Sequence, residues 1–121
     1  MYNILFYETS RGESPIQDFL THLRQKSSTD KSARILLYKI IAYLDLLEEK
    51  GTFIGQPVTK HLDGEIWELR PLNNRILYAY YNDNTFILLH HFKKKTQKTP
   101  KKELKKAKNN LKDYLERNDI S

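Results

Sequence analysis

Arg70 and Arg75 stand on either side of a short polar turn, Pro71-Leu72-Asn73-Asn74, within the stretch EIWELRPLNNRILYAYY. The flanking segments read as neighbouring strands, so both guanidiniums can project from one sheet face or rim. Two arginine forks at that separation suit a phosphate, because each is always charged and offers planar paired donors. The plainer reading is a surface pair beside a hairpin turn, one member bridging Glu68, and isolated surface pairs contribute little. Lys93-Lys94-Lys95 directly follows the next apolar strand, TFILLHHF, whose neighbour carries Arg75. Successive strand residues alternate faces, so at most two of these lysines face one way. A lysine run is ordinarily a solvated face. Basic groups arriving from two adjoining strands favour a focused positive concavity instead.

His90 and His91 are adjacent in a strand and must point to opposite faces, so they cannot chelate one metal together. Neither has a carboxylate at ligand spacing, and no zinc or iron site is expected. One is expected to pack in or beside the core, leaving the other as a general acid or base near neutral pH. Lys60-His61, just ahead of the IWELR strand, can reach the face of Arg70. Tyr78, Tyr80 and Tyr81 offer stacking surfaces or hydroxyls, although strand tyrosines more often pack. The sequence has no P-loop, dinucleotide fingerprint or HExxH motif.

The chain of 121 residues carries a net charge of +6 and no cysteine. Disulfides, thiolate metal sites and a cysteine nucleophile are thereby excluded, and a reducing cytosol fits. The positive charge is concentrated. Lys93 to Arg117 holds eleven Lys/Arg against Glu103, Asp113 and Glu116, while the remainder is close to neutral. Such a basic end attracts nucleic acid, an anionic membrane or an acidic protein. MYNILFYETS lacks a basic region followed by a long apolar core, and no apolar run approaches the roughly 18 residues of a membrane span. A cytoplasmic protein with no membrane association is expected.

The elements that must position these residues follow from periodicity. Tyr2–Glu8 reads as a strand. Ser14-Pro15-Ile16-Gln17 supplies an N-cap, a proline at the first helical position and a capping-box glutamine, opening a helix over about 15–26. Leu37, Ile40, Ile41, Leu44 and Leu47 mark a second over about 31–49, closed by Gly51. Two amphipathic helices with a short link form a hairpin packed on a sheet. Residues 51–65 read as a loop with at most one short strand. EIWELR, RILYAYY and TFILLHHF form an antiparallel meander, since both links are tight. Thr99-Pro100 opens a last helix with Leu104, Ala107, Leu111, Tyr114 and Leu115 along one stripe. The expectation is a single α+β domain over 1–121, ordered β-α-α-β-β-β-α, with an antiparallel sheet on a helical hairpin and a basic C-terminal helix.

IWELRPLNNRILYAYY together with ILLHHFKKKTQKTPKKELKKA resembles the RelE/ParE toxin superfamily, specifically its phage-derived HigB-like branch. That branch has an ELR strand, an arginine beginning the next strand and a segment of the form LLHxFxKKTxKTP followed by a glutamate and an alanine, here Glu103 and Ala107. The match covers most of the chain. It implies the compact RelE-like fold and a toxin of a type II toxin–antitoxin system with a HigA-like helix-turn-helix antitoxin. It further implies cleavage of mRNA, generally on the ribosome, which inhibits translation and growth, and contact with DNA only through the antitoxin complex. Arg70 and Arg75 match the family's active-site arginines, Lys60 a lysine ahead of the strand, and Lys94 or Lys95 a basic residue after the last strand. Other branches place a tyrosine or histidine there as acid or base, which makes His91, with His90, the candidates here.

The residues suit that chemistry. An RNA 2′-OH attacks its own 3′-phosphate, leaving a cyclic phosphate and a free 5′-OH. Arg70 and Arg75 would stabilise the charge that the phosphorane gains. Lys94 or Lys95 would neutralise the leaving oxygen, and Lys60 would hold the backbone or help proton transfer. No metal or other cofactor is required. Lys93, Thr96, Lys98, Lys101, Lys102 and Lys105 are the expected RNA contacts, adding a salt-sensitive, sequence-poor contribution. Two other functions compete: a ParE-like inhibitor that binds DNA gyrase, and a nucleic-acid-binding module without catalysis.

Overall fold

Ser14 opens the first helix as its sequence indicates, its hydroxyl accepting from the Gln17 N–H at 3.4 Å with Pro15 in the first turn. In the computed structural model, which describes residues 1–118, this helix is α1, Pro15–Lys26, and it follows strand β1, Asn3–Phe6. Helix α2, Lys31–Lys50, is capped by Asp30, whose carboxylate accepts from the Ala33 N–H. Gly51 ends it with φ 61°, and a Cβ there would meet the Tyr2 ring at 2.8 Å. Only glycine satisfies both demands.

Strands β2, Thr59–Asp63, β3, Ile66–Leu69, β4, Asn74–Tyr81, and β5, Thr85–Lys93, complete the sheet before helix α3, Lys101–Asn118. The order across the sheet is β1-β5-β4-β3-β2. The expected meander is present, with β3, β4 and β5 antiparallel. Within the 51–65 segment β2 is the short strand, antiparallel to β3 at the sheet edge. One expectation is corrected: the sheet is mixed, because β1 pairs parallel with β5. No tight turn joins these two strands, so no turn geometry fixes their relative direction. The hydrophobic pattern specifies faces and is silent on polarity.

Both sheet faces are covered, which makes β4 and β5 apolar nearly throughout. On one face Leu69, Ile76, Tyr78, Phe86 and Leu88 pack against the α1–α2 hairpin. On the other Ile66, Leu77, Ala79, Ile87 and Leu89 pack against Ala107 and Leu111 of α3. A bulge interrupts the β4–β5 register, Leu77 facing His90 while Tyr78 faces Leu88. Leu89 and His90 therefore both turn to the α3 side, and His91 turns to the hairpin. Among the described residues no helix is long and apolar enough to cross a membrane.

Candidate functional site

The β3–β4 turn brings Arg70 and Arg75 together around one acid. Glu68 is only 3% exposed, and its Oε1 lies 3.5 Å from Arg70 Nε and 3.8 Å from Arg75 Nε. Its Oε2 accepts from the Thr99 hydroxyl at 2.6 Å. Alternation along β3 dictates that Glu68 and Arg70 share the α3 face. Lys60 is the cross-strand partner of Glu68 and therefore lies on that face too.

The two arginines are not equivalent. Arg75 is 6% exposed, and its Nη1 donates to the carbonyls of Leu72 and Asn74, each at 2.8 Å. The expectation that both forks project outward holds for Arg70, which is partly exposed. It is corrected for Arg75, which turns inward because the turn's carbonyls and Glu68 satisfy it there. Burial pulls its guanidinium below the ordinary value, Glu68 opposes this and the Arg70 charge adds to it. A guanidinium nevertheless stays protonated in a protein.

A cavity of about 200 Å³ opens beside this cluster, lined by Lys60, Glu68, Arg70, Gln97, Lys98 and Thr99. Lys60 and Lys98 are exposed at its walls. Three cations thus face one concavity whose single carboxylate is already held by Arg70, Arg75 and Thr99. Such an arrangement can hold a phosphate between fixed donors and stabilise charge developing on it.

The remaining sequence candidates are distributed more widely. Lys94 and Lys95 lie on the linker between β5 and α3, outside the cavity lining, with the Lys94 N–H bound to the Asn73 carbonyl at 2.7 Å. The Thr96 hydroxyl donates to the Lys98 carbonyl and so shapes that linker. Lys101, Lys102 and Lys105 are exposed on α3. Lys93 and His91 line a separate groove on the hairpin side.

The two histidines face opposite sides, as alternation requires. His90 Nε2 is hydrogen-bonded to Glu103 Oε1 at 2.7 Å, tying β5 to α3. His91 stacks on Phe19 of α1, ring centroids 4.3 Å apart. Burial holds the His91 imidazole below its ordinary pKa, with His90 adding and Glu103 opposing. Neither lines the cavity of Arg70; His61 borders it, but its ring meets Trp67 edge-on, centroids 5.1 Å apart, and its Nε2 is 2.8 Å from the Gly64 carbonyl. Tyr78 is fully buried, its hydroxyl 2.6 Å from Thr59 Oγ1, and burial raises its pKa to about 12. Tyr81 meets Tyr114 edge-on while Tyr80 is half exposed. Among the described residues no group of three or more His, Cys, Asp or Glu is placed to hold a metal.

Sequence reasoning missed Thr99 as the partner of Glu68 and gave Glu68 too small a part. The second was legible, since Glu68 stands two residues before Arg70 on the same strand. The first was not, because it depends on where the linker crosses the sheet.

Comparison with known proteins adds the family. No curated protein matches the chain. The model of the phage-derived Gp49-like protein family (DUF891) matches residues 27–112, a span that includes α2, the whole of the β2–β5 sheet segment and the linker carrying Thr99. That family is RelE/ParE-like, which is consistent with a toxin of a toxin–antitoxin system that has an antitoxin partner. The chain therefore belongs to the phage-derived Gp49-like family of RelE/ParE-like toxins.

Proposed function

We propose that the protein is the toxin of a type II toxin–antitoxin system and that it cleaves mRNA, on the ribosome, as a metal-independent endoribonuclease of the HigB-like branch. The observation that carries this reading is the convergence of Arg70, Lys60 and Lys98 on one cavity lined by the buried Glu68, which Arg75 backs at 3.8 Å. In the reaction the RNA 2′-oxygen forms a bond to its own 3′-phosphorus and the bond to the 5′-oxygen breaks. The products are a 2′,3′-cyclic phosphate and a 5′-OH. Arg70 is the donor that meets the phosphorane, and fixed cations supply such stabilisation without reorganisation. Arg75 holds the turn and Glu68, and through them the direction of Arg70.

The 2′-OH proton must be taken up and one returned to the leaving oxygen. Lys60 and Lys98, exposed titratable groups at the cavity wall, would carry these transfers. Lys94, Lys95 and the exposed lysines of α3 would guide the RNA backbone towards the cavity, and a HigA-like antitoxin would silence the activity.

The inward turn of Arg75 favours a second reading, because it removes one of two forks from direct substrate contact. In that reading the chain binds nucleic acid, or inhibits gyrase, without cleaving RNA. Incubation with purified ribosomes and mRNA, followed by mapping of ends, separates the two. New 5′-OH ends support cleavage; intact mRNA alongside stalled gyrase sinks it.

A further inference from the structure

We infer that the groove between the end of α1, the start of α2 and the β3–β4 turn is a docking surface for an acidic amphipathic segment of a partner protein. It rests on the toxin reading only in supplying a reason for a partner to exist. The groove encloses about 660 Å³, with Phe19, Leu36 and Leu72 among its apolar walls and Lys26 and Lys93 at its rim. It lies on the hairpin face of the sheet, whereas the Arg70 cavity lies on the α3 face.

Three observations point to a protein occupant. The first is a second apolar face on α2. Ala33, Leu37 and Ile40 serve the core, yet Ile35 is 47% and Tyr38 62% exposed, one helical turn apart. Ile35 lines the groove, so the apolar surface runs out of it along the helix. Among the described residues that face stays largely uncovered.

The second is Leu72, an apolar side chain 48% exposed at the tip of the turn, with φ 56°. The left-handed region is unfavourable for a residue with a Cβ, and glycine or asparagine would reduce that cost. Arg75 holds this conformation by donating to the Leu72 carbonyl. The Leu72 carbonyl serves the fold through Arg75, while the half-exposed side chain is left as an anchor for a partner, the kind of site where stored backbone strain tends to be found.

The third is charge. The acid in the groove lining, Asp30, is committed to capping α2 through the Ala33 N–H. Lys26 and Lys93, with Lys31 on the exposed first turn of α2, leave the rim cationic. The complement is a segment with apolar anchors and flanking carboxylates. RNA shares the negative charge, but it would gain little from exposed isoleucine and leucine.

Because groove and cavity lie on opposite faces, a partner seated here leaves the cavity open. It presses instead on the turn whose Leu72 and Asn74 carbonyls are bound by Arg75, 3.8 Å from Glu68.

The test uses the full chain co-expressed with the product of its adjoining gene, with affinity measured by titration calorimetry. Ile35→Glu places a like charge on the acidic segment, and Leu72→Asn removes the anchor while suiting the left-handed turn. Each is expected to weaken the complex at least about tenfold, as loss of a central anchor does. Lys101→Glu on α3 should change it less than about threefold, as a position outside the interface does. If the partner binds both groove variants as tightly as wild type, the groove is wrong while the toxin reading stands. The same holds if those variants lose affinity for a short RNA and keep the partner. If no adjoining gene product binds, the proposal falls and the toxin reading loses its partner.

Discussion

The hydroxyl of Thr99 donates to the buried carboxylate of Glu68 at 2.6 Å, joining residues 31 positions apart. It fastens the lysine-bearing linker to the strand that carries Arg70. Glu68 Oε1 faces the two arginines while Oε2 faces Thr99, so one carboxylate sets the spacing of all three.

Thr99→Val keeps the shape and removes the donor. Leaving a buried carboxylate oxygen without its partner costs about 1–3 kcal/mol. Thr99→Ser keeps the hydroxyl and should stay within about 1 kcal/mol of wild type. Urea unfolding measures both, and equal midpoints for the valine and serine variants would contradict the latch.

Arg75→Ala and Arg70→Ala should part company. Removing Arg75 strips the Leu72 and Asn74 carbonyls of their donor and leaves Glu68 short of a counter-charge, a loss of about 3–5 kcal/mol for a buried pair. Arg70 is partly exposed, and its removal should cost about 1 kcal/mol or less. Cleavage should still fall about 10²–10³-fold for Arg70→Ala, the usual cost of one charge-stabilising donor. Thermal unfolding beside a cleavage assay checks this. A destabilised Arg70→Ala with a robust Arg75→Ala would invert the assignment.

His91 should make stability depend on pH in a defined direction. Its folded pKa is depressed below the ordinary 6.5, chiefly by burial. The unfolded chain then binds the proton more readily, so the His91 contribution is complete above 6.5 and is lost as pH falls through the folded value. His91→Phe keeps a ring against Phe19 and removes the titration. The stability advantage of wild type over this variant should shrink between about pH 7 and 5. A growing advantage on acidification would reverse the sign and contradict a pKa depressed by partial burial.

Lys101→Ala and Lys105→Ala concern backbone attraction only. Each should weaken RNA binding modestly, across sequences alike, and reduce the salt slope by about one. Binding titrations at several salt concentrations read this directly. A change in the preferred sequence would mean that these lysines read bases.

Much of this architecture is legible in the sequence because it is local. Ser14, Pro15 and Gly51 announce helix ends through backbone chemistry that each residue carries with it. The alternation around Trp67, Leu69 and Leu77 assigns faces. What is not legible is long-range. The direction of β1 against β5 depends on how the whole meander returns, and the inward turn of Arg75 depends on carbonyls presented by a left-handed Leu72. The β5 bulge is equally hidden, and it places Leu89 and His90 on one side where strict alternation would separate them. At the site, Lys60 shares the face of Arg70 because it stands opposite Glu68, whereas the linker's path carries Lys94 and Lys95 away from the cavity lining and brings Lys98 to it.

In the proposed function, Arg70 stabilises an RNA transphosphorylation in the cavity shared with Lys60 and Lys98. The most direct measurement maps the ends of an mRNA incubated with purified ribosomes and either wild type or Arg70→Ala. Wild type should produce 5′-OH and 2′,3′-cyclic phosphate ends, and Arg70→Ala should produce them about 10²–10³-fold more slowly while remaining folded. Ends carrying a 5′-phosphate, equal cleavage by the variant, or intact mRNA with stalled gyrase would contradict it.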